Sequence, residues 1–368
     1  MKKLRTHHHA IGLPPIPRAA LLPFFLLTII ALALPARAEL CPGPFKKHIQ
    51  QGGYGVMDLQ GDIVAGCNLD EAYVPASILK VPTAMAGLAI LGPTYRFTTE
   101  FYQDDKKNLY IKGFGDPTLV SEEIQLIFIA LKERKIEQIN SIYIDNSAFK
   151  LEHQVLGSEY SGNAYDAPVG ATAVNFNSVP VRIKGKKRKL LAAEEQTPVL
   201  PIMYELAKGA RAGSYRINIC KNGCNAEKQM SRYTAQLFRA LQREANIPGQ
   251  GKLGMRTVPA GAKLVYTHKN SKDLEELTTS FLKYSSNFIS NLVYLTCGAK
   301  KYGYPATWDK AKRAVQGELV RQLGKKTAAE LIHKEGAGLY RGNRVTIRAM
   351  LEVMDKFRPH AHLLRKYR

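Results

Sequence analysis

Pro75-Ala76-Ser77-Ile78-Leu79-Lys80-Val81-Pro82-Thr83-Ala84 places a serine and a lysine three residues apart, just inside the start of an apolar segment. On a helix, positions i and i+3 share a face, so the Ser77 hydroxyl and the Lys80 amine can touch. A serine hydroxyl is a weak nucleophile until a neighbouring base takes its proton, and a lysine serves as that base once burial disfavours its ammonium form. Ala84, Met85, Ala86, Leu88, Ala89, Ile90 and Leu91 leave almost no polar face, which predicts a helix surrounded by protein and ending near Gly92-Pro93. Pro82 removes one backbone donor near its start and predicts an irregular first turn. Ser-x-x-Lys alone is a weak motif, met on many helix surfaces.

The rest of the 368-residue chain is long enough for two or more domains. Lys2, Lys3 and Arg5, an apolar run from Ala19 to Leu34, and Ala36-Arg37-Ala38 predict a secretory signal over 1–38, cleaved after Ala38. The run is short for a membrane span and contains Pro23. Ala38-Glu39-Leu40-Cys41 lacks the small residue that a lipoprotein signal places before its cysteine. His7, His8 and His9 fall in the segment to be removed, so no metal site is expected there, and no cofactor is expected elsewhere.

The formal charge is +22, of which five positive charges lie in 1–38, leaving +17 on an exported chain. That balance suits wall polymer or a membrane surface, and a peripheral association with either is expected; export argues against nucleic acid. Lys184-Gly185-Lys186-Lys187-Arg188-Lys189 reads first as a solvated hairpin tip between apolar strands. In an oxidising compartment Cys220-Lys221-Asn222-Gly223-Cys224 predicts a small disulfide loop. Cys41 is then a partner for Cys67, and Cys297 is left buried and unpaired.

Residues 55–59 and 63–66 flank Gln60-Gly61-Asp62 as a hairpin. From about Thr94 the texture changes to short strands (97–102, 109–112, 142–144) with a helix over 122–135 capped by Ser121. A helix over 226–246 and a strand near 263–266 follow. After Ser271 the chain turns helical, over 272–283, 287–297, 308–323 (capped by Thr307) and 347–357 (capped by Thr346). The expectation is an α+β chain in four parts: the signal 1–38, a first catalytic part 39–95, an inserted β-rich domain 96–260, and a returning part 261–368.

Within the return lies Lys283-Tyr284-Ser285-Ser286-Asn287-Phe288. A Ser-x-Asn between two helices offers a hydroxyl and an amide, able to relay a proton and hold a peptide carbonyl. Beside an upstream Ser-x-x-Lys, these are two of the three motifs of penicillin-recognising serine enzymes. The chain resembles the D-alanyl-D-alanine carboxypeptidase/endopeptidase family, the low-molecular-mass class C penicillin-binding proteins of penicillin-binding protein 4 type. The similar stretches are Pro75 to Lys80, Gly113-Phe114-Gly115-Asp116-Pro117-Thr118-Leu119, Ile144-Asp145-Asn146-Ser147-Ala148-Phe149 and Ala167-Pro168-Val169-Gly170-Ala171. Ser285-Ser286-Asn287 and Gly336-Ala337-Gly338-Leu339, with Arg341, Asn343 and Arg344, complete the set.

The resemblance implies a split transpeptidase domain of penicillin-binding/β-lactamase type carrying a large inserted domain. It implies a periplasmic serine peptidase that acts on peptidoglycan stem peptides through an acyl-enzyme, with β-lactams as acylating inhibitors. Ser77 becomes the nucleophile and Lys80 its base; Ser285 relays a proton toward the leaving amine, and Asn287 binds substrate and orients Lys80. Asp116 is a candidate substrate contact, beside the plainer reading of an aspartate capping a turn. Glu335 stands where the family usually has Asp, and Tyr340 where it commonly has Ser. The third motif, Lys-Thr-Gly, is expected after 341–346 and is not found; Lys326-Thr327 is followed by Ala328. The sequence therefore reads as C-terminally shortened, with impaired catalysis. The alternative is a non-catalytic peptidoglycan-binding or scaffolding relative. A β-lactamase, which shares Ser-x-x-Lys, is disfavoured by the long insert.

Overall fold

The strand Ala72–Tyr73, just upstream of Ser77, pairs antiparallel with Arg344–Thr346, which pairs in turn with Leu331–Ile332. This small sheet suspends the 333–343 loop beside the start of the Ser77 segment, although the two are far apart in the chain. The computed structural model describes residues 49, 52–185 and 188–364, and Gly53 onward forms one compact unit. The expected signal over 1–38 and Cys41 lie outside the described residues.

Ser77 lies on a 3-10 turn, Ala76–Leu79, which runs directly into the α-helix Lys80–Leu91. Pro82 falls in the first α-helical turn, where a missing N–H costs little. The helix is buried on nearly every side, among Leu274–Tyr284, Asn287–Tyr302, Trp308–Ala329 and Ile347–Phe357. Thr307 and Thr346 cap the last two as expected, accepting from Lys310 N and Ala349 N at 3.1 Å each. One hydrophobic core joins Leu79, Ala84, Met85 and Leu88 to Phe281, Leu292, Leu295, Trp308 and Val353.

A second core lies under a five-stranded sheet with spatial order Leu253–Met255, Ile142–Asp145, Leu109–Gly113, Thr98–Gln103, Lys263–Lys269. Its helices are Ser121–Glu133 and Ala226–Glu244. A three-stranded sheet of Lys189–Ala192, Ser178–Lys184 and Gly213–Asn218 adds Val179, Val181 and Ile217 to this core. Lys263–Lys269, assigned from the sequence to the returning part, is hydrogen-bonded along Thr98–Gln103 of the inserted sheet. Ser121 is not a cap. It is the first helical residue, and its hydroxyl is turned inward to Thr197 Oγ1 (2.8 Å) and Asn175 Nδ2 (3.0 Å). Cys220 and Cys224 form a disulfide, Cys67 is disulfide-bonded, and Cys297 is buried and free.

Candidate active site

Four side chains of the two sequence motifs converge. Lys80 Nζ, 1% exposed, donates to Ser77 Oγ (3.1 Å), Asn287 Oδ1 (2.7 Å) and the Ala337 carbonyl (2.8 Å). Ser285 Oγ donates to Ser77 Oγ at 2.9 Å from the opposite side. Ser77 and Ser285 are solvent-exposed, so the cluster is sealed behind Lys80 and open in front of the hydroxyls.

The local fold explains each placement. Helix Leu274–Tyr284 ends at Ser285, which takes the left-handed conformation (φ 55°). Ser286 then caps the next helix by accepting from Ile289 N, so Asn287 sits in its first turn, facing Lys80. Ala76, beside the nucleophile candidate, is also left-handed (φ 46°). Non-glycine residues held there cost about 1–3 kcal/mol each and persist only where surrounding contacts enforce them. One such contact is Gly338 (φ 83°), whose backbone abuts Ala76; a Cβ there would lie 1.7 Å from the Ala76 carbonyl oxygen.

The 336–338 turn is tied down from three directions. Thr83 Oγ1 (2.8 Å) and Ser290 Oγ (2.6 Å) both donate to the Gly336 carbonyl, and Gly336 N donates to Asn291 Oδ1 (2.8 Å). The wholly buried Glu335 accepts from Ala337 N (2.8 Å), Gly338 N (2.7 Å) and Asn343 Nδ2 (2.8 Å). Asn287 Nδ2 donates to the Tyr165 carbonyl (3.1 Å), so a loop between the strands of the insert also reaches the site. A narrow recess of about 10 Å³ lies there, lined by Val155, Tyr165, Ala167, Asn287, Phe288 and Leu339.

Burial pushes the Lys80 amine down from its ordinary 10.5 to about 8, against the opposing pull of the Glu335 charge. As an ammonium it has a neutral acceptor for each of its three protons. After losing one proton, two N–H groups can stay on the closer acceptors, Asn287 Oδ1 and Ala337 O, which turns the lone pair toward Ser77 Oγ. That is the arrangement of a base aimed at a hydroxyl.

Asp116 does not join this cluster. It is 2% exposed, both its oxygens accept from Asn270 Nδ2 (3.0 and 2.9 Å), and Oδ1 also accepts from Thr118 N (2.9 Å). Its carboxylate is engaged inside the protein, and the Thr118 N bond is that of an aspartate closing a turn. Conversely, the Ala337 carbonyl, Thr83 and Ser290 carry no sequence signal; the Gly336-Ala337-Gly338 turn was the nearest hint. Among the described residues no three His, Cys, Asp or Glu side chains gather as a metal would require.

A profile described as the D-Ala-D-Ala carboxypeptidase 3 (S13) family matches residues 49–211 and 220–367. A D-alanyl-D-alanine carboxypeptidase, DacB, of Haemophilus influenzae is 23% identical over 393 aligned positions, covering 96% of this chain and 79% of the relative. A D-alanyl-D-alanine carboxypeptidase of an Actinomadura species is 25% identical over 328 positions; the match covers 78% of this chain and 60% of that relative. In structure the chain resembles penicillin binding protein 4 (dacB) from Haemophilus influenzae, with a TM-score of 0.67 and 20% identity over 85% of this chain and 76% of the other. The same protein complexed with a β-lactam aligns with a TM-score of 0.64 and 20% identity, over 84% of this chain and 75% of that one. The shared fold is the α+β transpeptidase-like architecture expected from the sequence.

Proposed function

The chain belongs to the D-Ala-D-Ala carboxypeptidase 3 (S13) family, and from that membership we propose that it is a serine peptidase acting on peptidoglycan stem peptides through an acyl-enzyme at Ser77. The observation that carries the reading is the continuous path Ser285–Ser77–Lys80–Asn287, assembled from both halves of the chain. In this reading Lys80 takes the Ser77 proton as the hydroxyl attacks the D-Ala carbonyl. Ser285, hydrogen-bonded to Ser77, passes a proton to the departing amine, and water later releases the acyl group. Asn287 holds Lys80 on one side and offers its amide edge toward the substrate.

β-Lactams acylate Ser77 in the same reading. The two hydrophobic cores support a division into a catalytic part and an inserted domain, with the strand Lys263–Lys269 belonging to the inserted sheet. Export to the periplasm rests on the sequence of 1–38, and peripheral association with wall or membrane on the net charge. The 368 residues contain no Lys-Thr-Gly. We therefore propose slow acylation by a polypeptide of these residues alone, since one missing oxyanion donor costs about 10²–10³-fold.

Incubating the purified chain with a fluorescent penicillin, beside a Ser77→Ala control, tests the reading. Labelling of the parent and not of the control is the expected result, and labelling of both or of neither overturns it. Rapid stoichiometric labelling of the parent would show the third motif to be dispensable. N-terminal sequencing from the cell envelope should begin at Glu39; an intact Met1 would sink the export proposal.

A further inference from the structure

We propose that Glu335 is a positioning residue for the Ser77–Lys80 pair, fixing the Ala337 carbonyl against the Lys80 amine and setting, through its charge, the pH at which the pair becomes reactive. The inference rests on the reading of Ser77 and Lys80 as nucleophile and base. It goes further by assigning a chemical task to a carboxylate that touches neither substrate nor Ser77.

The geometry of the turn gives the first half of the argument. Glu335 Oε2 accepts from Ala337 N, while Oε1 accepts from Gly338 N, Asn343 Nδ2 and, at 3.4 Å, Tyr340 N. Every partner is an N–H donor, and Ala337 N and Asn343 Nδ2 are fully buried, so an acid here satisfies groups that an apolar residue would leave without acceptors. The Ala337 amide so anchored belongs to the residue whose carbonyl receives Lys80. The Gly338 amide belongs to the residue pressed against Ala76, beside the nucleophile. One carboxylate therefore holds both contacts of the turn with the reactive pair.

Electrostatics give the second half. Burial drives Lys80 toward the free amine and the Glu335 charge pulls it back toward the ammonium. Among the described residues Glu335 is the one charged group that shifts Lys80. From helix Asn287–Tyr302, the Tyr294 hydroxyl meets His333 Nδ1 at 2.9 Å. Burial holds His333 down to about 4 and lifts Tyr294 well above its ordinary value, so neither is charged near pH 8. Thr83 on Lys80's own helix, with Ser285 and Asn287 of the loop opposite, adds dipoles and no charge. Glu335 is thus the charge that tunes Lys80 among the described residues.

The experiment follows Lys80 directly, by NMR titration of lysine labelled with ¹³C and ¹⁵N in the full chain, with the Lys80→Met variant assigning the signal. Penicillin labelling is measured against pH in parallel. In Glu335→Gln the Lys80 inflection should move from about pH 8 to lower pH by roughly one unit, the low end of what a nearby opposite charge contributes. One amide N–H of the glutamine would face Ala337 N, so labelling at the plateau should fall roughly 10-fold to 10²-fold through misplacement of the pair. Glu335→Asp keeps the charge, so its inflection should stay near 8 while labelling weakens. A purely structural role predicts the same loss at every pH and an unmoved Lys80 titration in Glu335→Gln, and that result overturns the proposal. If Glu335→Gln does not fold, Glu335→Asp decides alone: an inflection near 8 with weakened labelling supports the proposal, and a downward move refutes it. If no chain is labelled at any pH, the nucleophile reading fails, and the Lys80 titration still decides the role of Glu335.

Discussion

Two buried polar clusters in this molecule use similar ingredients and are built to opposite ends. At one, Lys80 is held by three neutral acceptors contributed by the Ser77 turn, the Ser285–Asn287 loop and the 336–338 turn. At the other, Asp116 lies on Asn270 and Thr118, while Glu123 meets His268 Nε2 at 2.8 Å and the Ser271 hydroxyl. Burial pushes Asp116 up to about 6. Burial also acts to raise Glu123, but the hydrogen bonds from His268 and Ser271 outweigh it and hold that carboxyl below its ordinary value. Asp116 and Glu123 are closed in by protein, and their contacts tie the loop and helix of the insert to the chain leaving its last strand. The Lys80 cluster is closed on every side except toward two exposed hydroxyls. A displaced proton affinity has chemical consequences only where a reactive atom can meet a ligand, which is why we propose the first cluster as the site and the second as a fastening.

The largest expected effect tests the reactive side of that contrast. Lys80→Met should lower penicillin labelling by about 10²–10⁴-fold, the usual contribution of a general base. In the parent, labelling should rise with pH and level off above the Lys80 value of about 8, and the variant should lose that dependence. The stability consequence has a definite sign. The folded value lies below the ordinary 10.5, so the cost of burying the ammonium is fully present below about 8. It is relieved as pH rises from there to 10.5. Urea titrations across this window should show stability rising in the parent more than in Lys80→Met.

Next in size is Gly338→Ala. A Cβ 1.7 Å from the Ala76 carbonyl oxygen, at φ 83°, must displace one backbone or the other. The cost should be about 3 kcal/mol in urea denaturation, combining left-handed strain with overpacking, and labelling should fall with it. Unchanged labelling would separate the turn from the reactive pair.

Asn270→Leu sharpens the comparison from the other cluster. Removing the amide from a buried carboxylate should cost about 2 kcal/mol at pH 7. The deficit should shrink near pH 4, where Asp116, whose folded value is about 6, is protonated. The pH inflection of labelling in the folded protein should not move. If it does, the two clusters are coupled and the distinction drawn above fails.

The smallest effect is expected at Thr83→Val, which deletes one of two hydroxyls on the Gly336 carbonyl. A loss of about 1 kcal/mol and a less than tenfold drop in labelling are expected, because Ser290 still holds the turn.

The helices after residue 271 were legible because caps and apolar spacing are local properties; Thr307 and Thr346 act as the sequence indicates. Ser121 was not. A serine ahead of two glutamates is the pattern of a cap, yet a buried partner in Asn175 drew its hydroxyl inward. The strand at 263 was legible as a strand. Its membership in the inserted sheet was not, since edge pairing with Thr98–Gln103 depends on a surface assembled from distant segments.

The same division holds at the site. The sequence by itself determined that Ser77 and Lys80 lie one turn apart, and that Ser285 and Asn287 share a loop between helices, because rise and rotation per residue fix such neighbours. Only the tertiary structure decided that Asn287 and the Ala337 carbonyl, 207 and 257 positions from Lys80, complete its shell. It also decided that Asp116 is buried against Asn270, 154 positions away. Contacts across such spans are chosen by how separate cores pack, and a backbone carbonyl, present at every residue, leaves no mark in the sequence that names it as a lysine's acceptor.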